Sequence, residues 1–87
     1  MNCIVLGKTY KITMLPPSDM MDLFGACDRR TQEIRLVDNM AEDQLRETLL
    51  HEIIHIVDRE LNLGFPEDVV MRLAVGIYST GCWKPEI

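Results

Sequence analysis

The stretch NMAEDQLRETLLHEIIHIVDRELNL, residues 39–63, decides the fold because it holds a helical pattern without a breaker. Its apolar side chains recur at spacings of three and four and fill one broad arc of a helical wheel. These arc residues are Leu45, Leu49, Leu50, Ile53, Ile54, Ile56, Val57 and Leu61. Such an arc covers about half of a helix and is wide enough to contact both a sheet and another helix. We therefore predict one long, partly buried helix.

Capping signals set the expected ends of this helix and the start of another. Asn39 followed by Glu42 fits an N-cap with its reciprocal partner, and Gly64 fits the residue just past the C-terminal end. Pro66 then fits the first position of a second helix, where the acidic residues Glu67 and Asp68 favour the first turn. The apolar stripe predicted for this helix is Val70, Leu73, Ala74 and Ile77.

The N-terminal part of the chain has a β pattern instead. Strands are predicted at residues 3–6, 9–14 and 32–37, where apolar runs or alternating residues occur, with a short helical turn at 18–24 and a hairpin connection at 28–31. The predicted fold class is α+β, a small antiparallel sheet of about three strands packed on the helix pair. We expect one domain over residues 1–87: mainly β to residue 38, two helices over 39–80, and a tail at 81–87.

Composition excludes several classes of protein. With 87 residues and a net charge of −5, the chain lacks the basic patch of a nucleic-acid binder. No apolar run is long enough to span a membrane, and MNCIVLGK lacks the long apolar core of a signal peptide. The 3 cysteines form no CxxC pair, so a disulfide scaffold or cysteine-type zinc site is not expected. These features indicate a cytoplasmic protein, and a core this thin favours self-association.

The acidic charge is confined to one half of the chain. Residues 1–39 have no net charge, whereas residues 40–87 hold the whole net charge of −5 and both histidines. A solvated acidic helix face explains such a charge distribution in most proteins. A site for a cation is the second explanation.

The motif His51-Glu52-Ile53-Ile54-His55 lies in the middle of the long predicted helix. Histidines at i and i+4 are neighbours on one helix face, so their imidazoles can bind one metal ion. Both lie opposite the apolar arc, where a core histidine would not be placed. Glu52 sits about 100° around the helix and would flank the metal. From there it can accept a proton from a water that zinc activates, as a general base does.

Catalytic zinc usually takes three protein ligands, so one more residue is required. Glu67 and Asp68 are the candidates, because both follow the turn at Gly64 that brings the chain back. Glu67 is the preferred ligand and Asp68 is the alternative. Asp58 lies on the histidine face one turn beyond His55. It either orients a ligand histidine through a hydrogen bond or is a surface charge.

The stretch LLHEIIHIVDRELNLGFPEDVVMRLAVGIY, residues 49–78, resembles small phage-type metallopeptidase-like proteins of the zincin superfamily, in its gluzincin branch. The shared pattern is HExxHxxD, a short loop with Gly, and then E-x-x-V-x-x-L-A-x-G-[LI]-Y. This register favours Glu67 over Asp68. Gly25 and Asp28, before the strand at 32–37, also fit the strand pattern of the family.

The resemblance implies one zinc ion held by His51, His55 and Glu67, with Glu52 as general base in peptide-bond hydrolysis. It also implies that the strand at 32–37 is the sheet edge beside the metal, where an extended peptide would lie, and that the protein works in a bacterial host or is phage-encoded. The alternative function is a catalytically inactive zinc-binding interaction module. A metal-free interaction domain is the third hypothesis. The peptide or protein substrate is not specified by the sequence.

Overall fold

Strands occupy the first part of the chain and helices the rest, in a computed structural model that describes residues 1–83 and 85. The strands are β1 (Asn2–Val5), β2 (Lys8–Leu15), β3 (Gly25–Asp28) and β4 (Glu33–Val37), with a 3₁₀ turn at Pro17–Asp19. The helices are α1 (Glu42–Leu61) and α2 (Glu67–Ser79). The predicted α+β class is confirmed. Within the described residues, no helix is long and apolar enough to cross a membrane.

The sheet has four strands in the order β1-β2-β4-β3 and is mixed. β1 pairs with β2 and β3 with β4 in antiparallel fashion, whereas β2 and β4 run parallel, with Ile12 opposite Ile34. The prediction of about three antiparallel strands is therefore wrong in number and in direction. β3 was missed because Gly25–Asp28 has neither alternation nor an apolar run. It occupies the connection between β2 and β4, which lets those two strands run parallel.

α1 lies against one face of the sheet and against α2. Leu49 and Ile56 of α1 join the sheet residues in the main core, whereas Leu50 and Ile54 pack against α2. The broad apolar arc thus contacts both a sheet and a helix, as predicted, although Leu61 at its end is 54% exposed. The sheet contributes buried side chains from β1, β2 and β4: Val5, Tyr10, Ile12, Ile34 and Leu36.

α2 packs through a narrower stripe than predicted. Val70 and Ala74 are buried against α1, but Leu73 and Ile77 are exposed at the surface. α1 is the main neighbour of α2, and a single helix neighbour covers only a narrow seam. Tyr78 extends this seam by donating a hydrogen bond to Asp43 at the start of α1, over 2.5 Å.

Both ends of α1 differ from the capping prediction. Ala41, and not Asn39, is the N-cap residue, and no side chain caps the helix. Met40 and Leu45 pack against the main core on either side of the helix start, which is the arrangement of a hydrophobic staple. At the other end the C-cap residue is Asn62, in the left-handed region (φ 56°), whereas Gly64, which also has a positive φ (75°), lies two residues further on.

The turn after α1 is a Schellman motif, which satisfies carbonyl groups at the helix end. The Asn62 amide donates to the Arg59 carbonyl at 3.4 Å, and the Leu63 amide donates to the Asp58 carbonyl at 3.0 Å. α2 then begins at Glu67 with Pro66 as its N-cap, close to the predicted start. The predicted tail, residues 81–87, falls partly outside the described residues, since 84, 86 and 87 are not described. Within its described part, Trp83 packs against both apolar clusters.

Candidate metal centre

Three potential ligands converge where α2 begins beside the middle of α1. The Nε2 atoms of His51 and His55 lie 3.1 Å apart, and each contacts a different carboxylate oxygen of Glu67: His51 contacts Oε1 and His55 contacts Oε2, both at 2.9 Å. One ligand atom from each of the three residues lies within 4.8 Å of the others. This group could hold a metal ion, and it contains the residues singled out from the sequence.

The spacing of these atoms fits zinc. Ligand atoms at about 2.0–2.1 Å from a tetrahedral zinc ion lie about 3.3 Å from one another. The contacts between His51, His55 and Glu67 measure 2.9–3.1 Å, so a small outward movement of the side chains makes room for an ion. Two neutral imidazoles and a carboxylate are also a donor set that zinc prefers.

The other two acidic candidates have different partners. Asp68 points to Arg72, one turn along α2, with 3.9 Å between the charged groups. Asp58 accepts a hydrogen bond at 2.8 Å from the backbone amide of Phe65, in the loop that leads to Glu67. Asp58 therefore fixes the loop that leads to the candidate ligand Glu67, a role that neither sequence interpretation of this residue included.

Glu52 is buried beside the ligands, with 7% of its surface exposed. Burial raises the pKa of its carboxyl group, because charge is disfavoured away from water, while the Cys27 thiol, the two histidines and the Arg59 guanidinium act in the opposite direction. A carboxylate with a raised pKa, next to a metal position, is suited to accept a proton near neutral pH. The sequence placed Glu52 beside the metal but gave no sign of this burial.

Cys27 of β3 is the neighbour of Glu52 on the strand side. Burial raises the pKa of its thiol to about 11, and the nearby Glu52 carboxylate acts in the same direction. Arg59 donates a hydrogen bond to the Cys27 sulfur at 3.5 Å. Cys27 therefore favours the neutral thiol and lies outside the group of three converging ligands.

β3 approaches α1 so closely that only glycine fits at one position. A Cβ atom on Gly25 would lie 2.8 Å from Cγ2 of Thr48 and 3.2 Å from Cγ of Glu52. The absence of a side chain lets the strand cover Glu52 directly. Gly25 thus brings the open edge of the sheet beside the candidate metal position.

The edge strand beside the candidate metal position is β3, and not the strand at 32–37 as the family resemblance implied. β4 lies inside the sheet between β2 and β3, so its hydrogen-bonding groups are already paired on both sides. On β3, the Phe24 carbonyl accepts from the Val37 amide at 2.9 Å. Because antiparallel pairs alternate, the backbone N–H and C=O groups of Gly25 and Cys27 point away from β4. They form a short open edge.

These features line one cleft of about 550 Å³. Its floor is a face of α1 between residues 44 and 59, and one wall is formed by residues 23–27. The opposite wall is a single stripe of α2: Glu67, Met71 and Val75, at spacings of four. Phe24, Met71 and Val75 are each more than 50% exposed, so the walls towards the start of α1 are apolar.

No protein-family model, curated protein or solved structure matches this chain. The chemistry of the cleft therefore rests on its own residues and distances.

Replacing Gly25 with Ala tests the close approach of β3 and α1. The added methyl group must displace Thr48 or the strand, and we expect a loss of about 1–3 kcal/mol in the free energy of unfolding, measured with urea. Gly76→Ala is the matched control, since its Cβ would meet no atom within 4 Å in the middle of α2. It should gain about 0.5–1 kcal/mol. Equal effects of the two substitutions would contradict the packing described here.

Proposed function

We propose that the protein is a zinc-dependent peptidase of the zincin type, with His51, His55 and Glu67 as zinc ligands and Glu52 as general base. The observation that supports it is the convergence of the three ligand atoms, within 4.8 Å, beside a buried carboxylate and an open strand edge. Each part is common alone. Their combination in one cleft is what peptide hydrolysis requires.

Each side chain in the proposed site has a separate chemical role. A zinc ion bound by the three ligands would polarise a peptide carbonyl and make hydroxide available at neutral pH. Glu52 accepts a proton from the attacking water and donates it to the leaving amine. Its burial under β3 excludes bulk water from the carboxylate and holds it in one position. The Cys27 thiol favours the ionised form of Glu52 before the proton is taken up.

An extended peptide is the substrate shape that this cleft fits. The outward N–H and C=O groups of Gly25 and Cys27 can form a ladder with one added strand, as in other peptides that extend a sheet edge. Side chains of such a strand would alternate between the α1 floor and the solvent. The exposed apolar side chains of Phe24, Met71 and Val75 favour apolar residues in the substrate.

A second candidate function is a zinc-binding interaction module without hydrolytic activity. It is favoured by the lining of the cleft, in which the described residues include no tyrosine and no third histidine to stabilise an oxyanion. Tyr78 lies away from the metal, bonded to Asp43. In this case zinc would tie α1 to α2, and the same open edge would bind a partner strand without cleaving it.

The proposal predicts zinc uptake and zinc-dependent cleavage. Protein purified without added metal should contain close to one zinc ion per chain by elemental analysis. It should cut an unfolded protein such as casein, with fragments identified by mass spectrometry. A chelator should stop the cleavage and added zinc should restore it.

Two results would contradict the proposal in different ways. Stoichiometric zinc without any fragments would favour the interaction module. No zinc, together with no gain in thermal stability when zinc is added, would favour a metal-free domain.

A further inference from the structure

Arg59 lies at one end of the cleft, on the same face of α1 as the two histidines. Residues 51, 55 and 59 follow one another at spacings of four, so their side chains stack along the helix. Helical side chains lean towards the N-terminus, which directs the Arg59 guanidinium back over the turn that carries His55. It lines the cleft together with the ligands.

The guanidinium has no carboxylate partner among the described residues. It donates a hydrogen bond to the Cys27 sulfur at 3.5 Å, and a thiol sulfur is only a weak acceptor. Nearby Lys8 and Arg29 both pair with Glu60 instead, each at 3.5 Å. A cleft position with an unpaired planar cation can bind an anion from outside the protein.

The other ionisable side chains that line the cleft are mostly acidic. Apart from Arg59 and the two histidines, its ionisable lining residues are carboxylates and one thiol: Glu47, Glu52, Glu67 and Cys27. These carboxylates repel an anionic ligand, and apart from the proposed metal position Arg59 is the one permanently charged cation among the described lining residues that would attract it. A single cation in acidic surroundings fixes the register of a ligand as well as adding affinity.

We propose that Arg59 binds a carboxylate of the peptide substrate, close to the bond that is cut. This inference rests on the proposed zinc site. Arg59 lies about 6 Å along the helix axis from His55, and an extended peptide advances about 3.3 Å per residue. The carboxylate therefore belongs to a residue within about two positions of the carbonyl at the metal. It is either an acidic side chain or the free C-terminus.

The test uses two small hydroxamates, which bind zinc through the same group whether or not the protein cleaves peptides. One is the monohydroxamate of succinic acid, which carries a carboxylate, and the other is its neutral amide. Calorimetry with the zinc-loaded protein should show about tenfold tighter binding of the carboxylate compound. Arg59→Gln should remove this preference. Arg59→Lys should retain part of it, because the charge remains without the planar fork.

Arg30→Gln is the matched control. Arg30 is an exposed arginine in the β3–β4 turn, outside the cleft lining and without an ion pair among the described residues. Its variant should keep the full preference. Equal affinities of the wild-type protein for the two compounds would overturn the proposal, and so would a preference that survives in Arg59→Gln.

Peptide pairs then identify the source of the carboxylate. Binding to zinc-loaded Glu52→Gln protein is compared for Glu against Gln side chains, and for free against amidated C-termini. Each pair is also measured with the double variant Glu52→Gln, Arg59→Gln. If the difference in affinity within one pair disappears in the double variant, Arg59 binds the carboxylate that distinguishes that pair. If the preference for a carboxylate depends on Arg59 but no peptide is cleaved, the carboxylate-binding site is supported and the proposed peptidase function is contradicted. Absence of bound zinc would remove both.

Discussion

Replacing Glu52 with Gln is expected to abolish hydrolysis, to leave zinc bound and to make the metal-free protein more stable. Gln has nearly the same shape but cannot accept the proton from water, so cleavage should fall at least about 100-fold. The ligands are unchanged, so zinc binding should persist. The buried carboxylate is also a cost to folding, since it is 7% exposed and its raised pKa reflects lost hydration. The neutral side chain should therefore add about 1 kcal/mol to the free energy of unfolding.

Three measurements on one variant separate these effects: cleavage of an unfolded protein, zinc content, and urea unfolding with a chelator present. Glu60→Gln is the matched control, because Glu60 is also an α1 carboxylate that is only partly buried, but it lies outside the cleft lining. It should leave cleavage nearly unchanged. Equal cleavage by Glu52→Gln and wild-type protein would contradict the role given to Glu52.

Replacing Glu67 with Gln is expected to weaken zinc binding at least about 100-fold. The substitution removes the anionic ligand and keeps the shape of the side chain. The metal-free protein should fold almost as before, because the Glu67 side chain is 59% exposed and a carboxylate this exposed contributes little through ion pairs. The thermal stabilisation that zinc gives to the wild-type protein should therefore be lost at zinc concentrations that saturate the wild type.

Asp68→Asn is the control for this second prediction, since it removes one negative charge from the neighbouring position. Asp68 faces Arg72 across 3.9 Å and takes no part in the converging group. Its variant should bind zinc with wild-type affinity, measured by competition with a chromogenic chelator. A similar loss in both variants would mean that general acidity, and not ligation by Glu67, controls zinc binding.

The helices and the convergence of the candidate metal ligands could be predicted from the sequence because both depend on local spacing. The i, i+4 relation between His51 and His55 is set by the helix itself, and the chain reversal near Gly64 brings Glu67 back within reach. The preference for Glu67 over Asp68 came from the family resemblance, and the geometry agrees with it.

The sheet could not be predicted to the same extent, because strand partners depend on contacts far apart in sequence. β3 has a glycine and a charged residue in four positions, and its close packing on α1 depends on the absence of a side chain at Gly25. The packing of β3 on α1 also buries Glu52. A helical wheel gives only the direction of a side chain around the helix axis, so it could not predict this burial. The N-terminal end of α1 was mispredicted since core packing of Met40 replaced capping by Asn39.

The order of the strands has a consequence for how the protein folds. The sheet consists of two local hairpins, β1–β2 and β3–β4, joined by the single parallel pair between β2 and β4. Hairpins and helices that close short loops form early, whereas pairings between distant segments come later. The candidate metal ligands all lie on α1 and α2, which are consecutive in the chain, so they can come together before this late step, whereas the β3 wall of the cleft is completed with the sheet. Metal binding should therefore accelerate folding as well as slow unfolding.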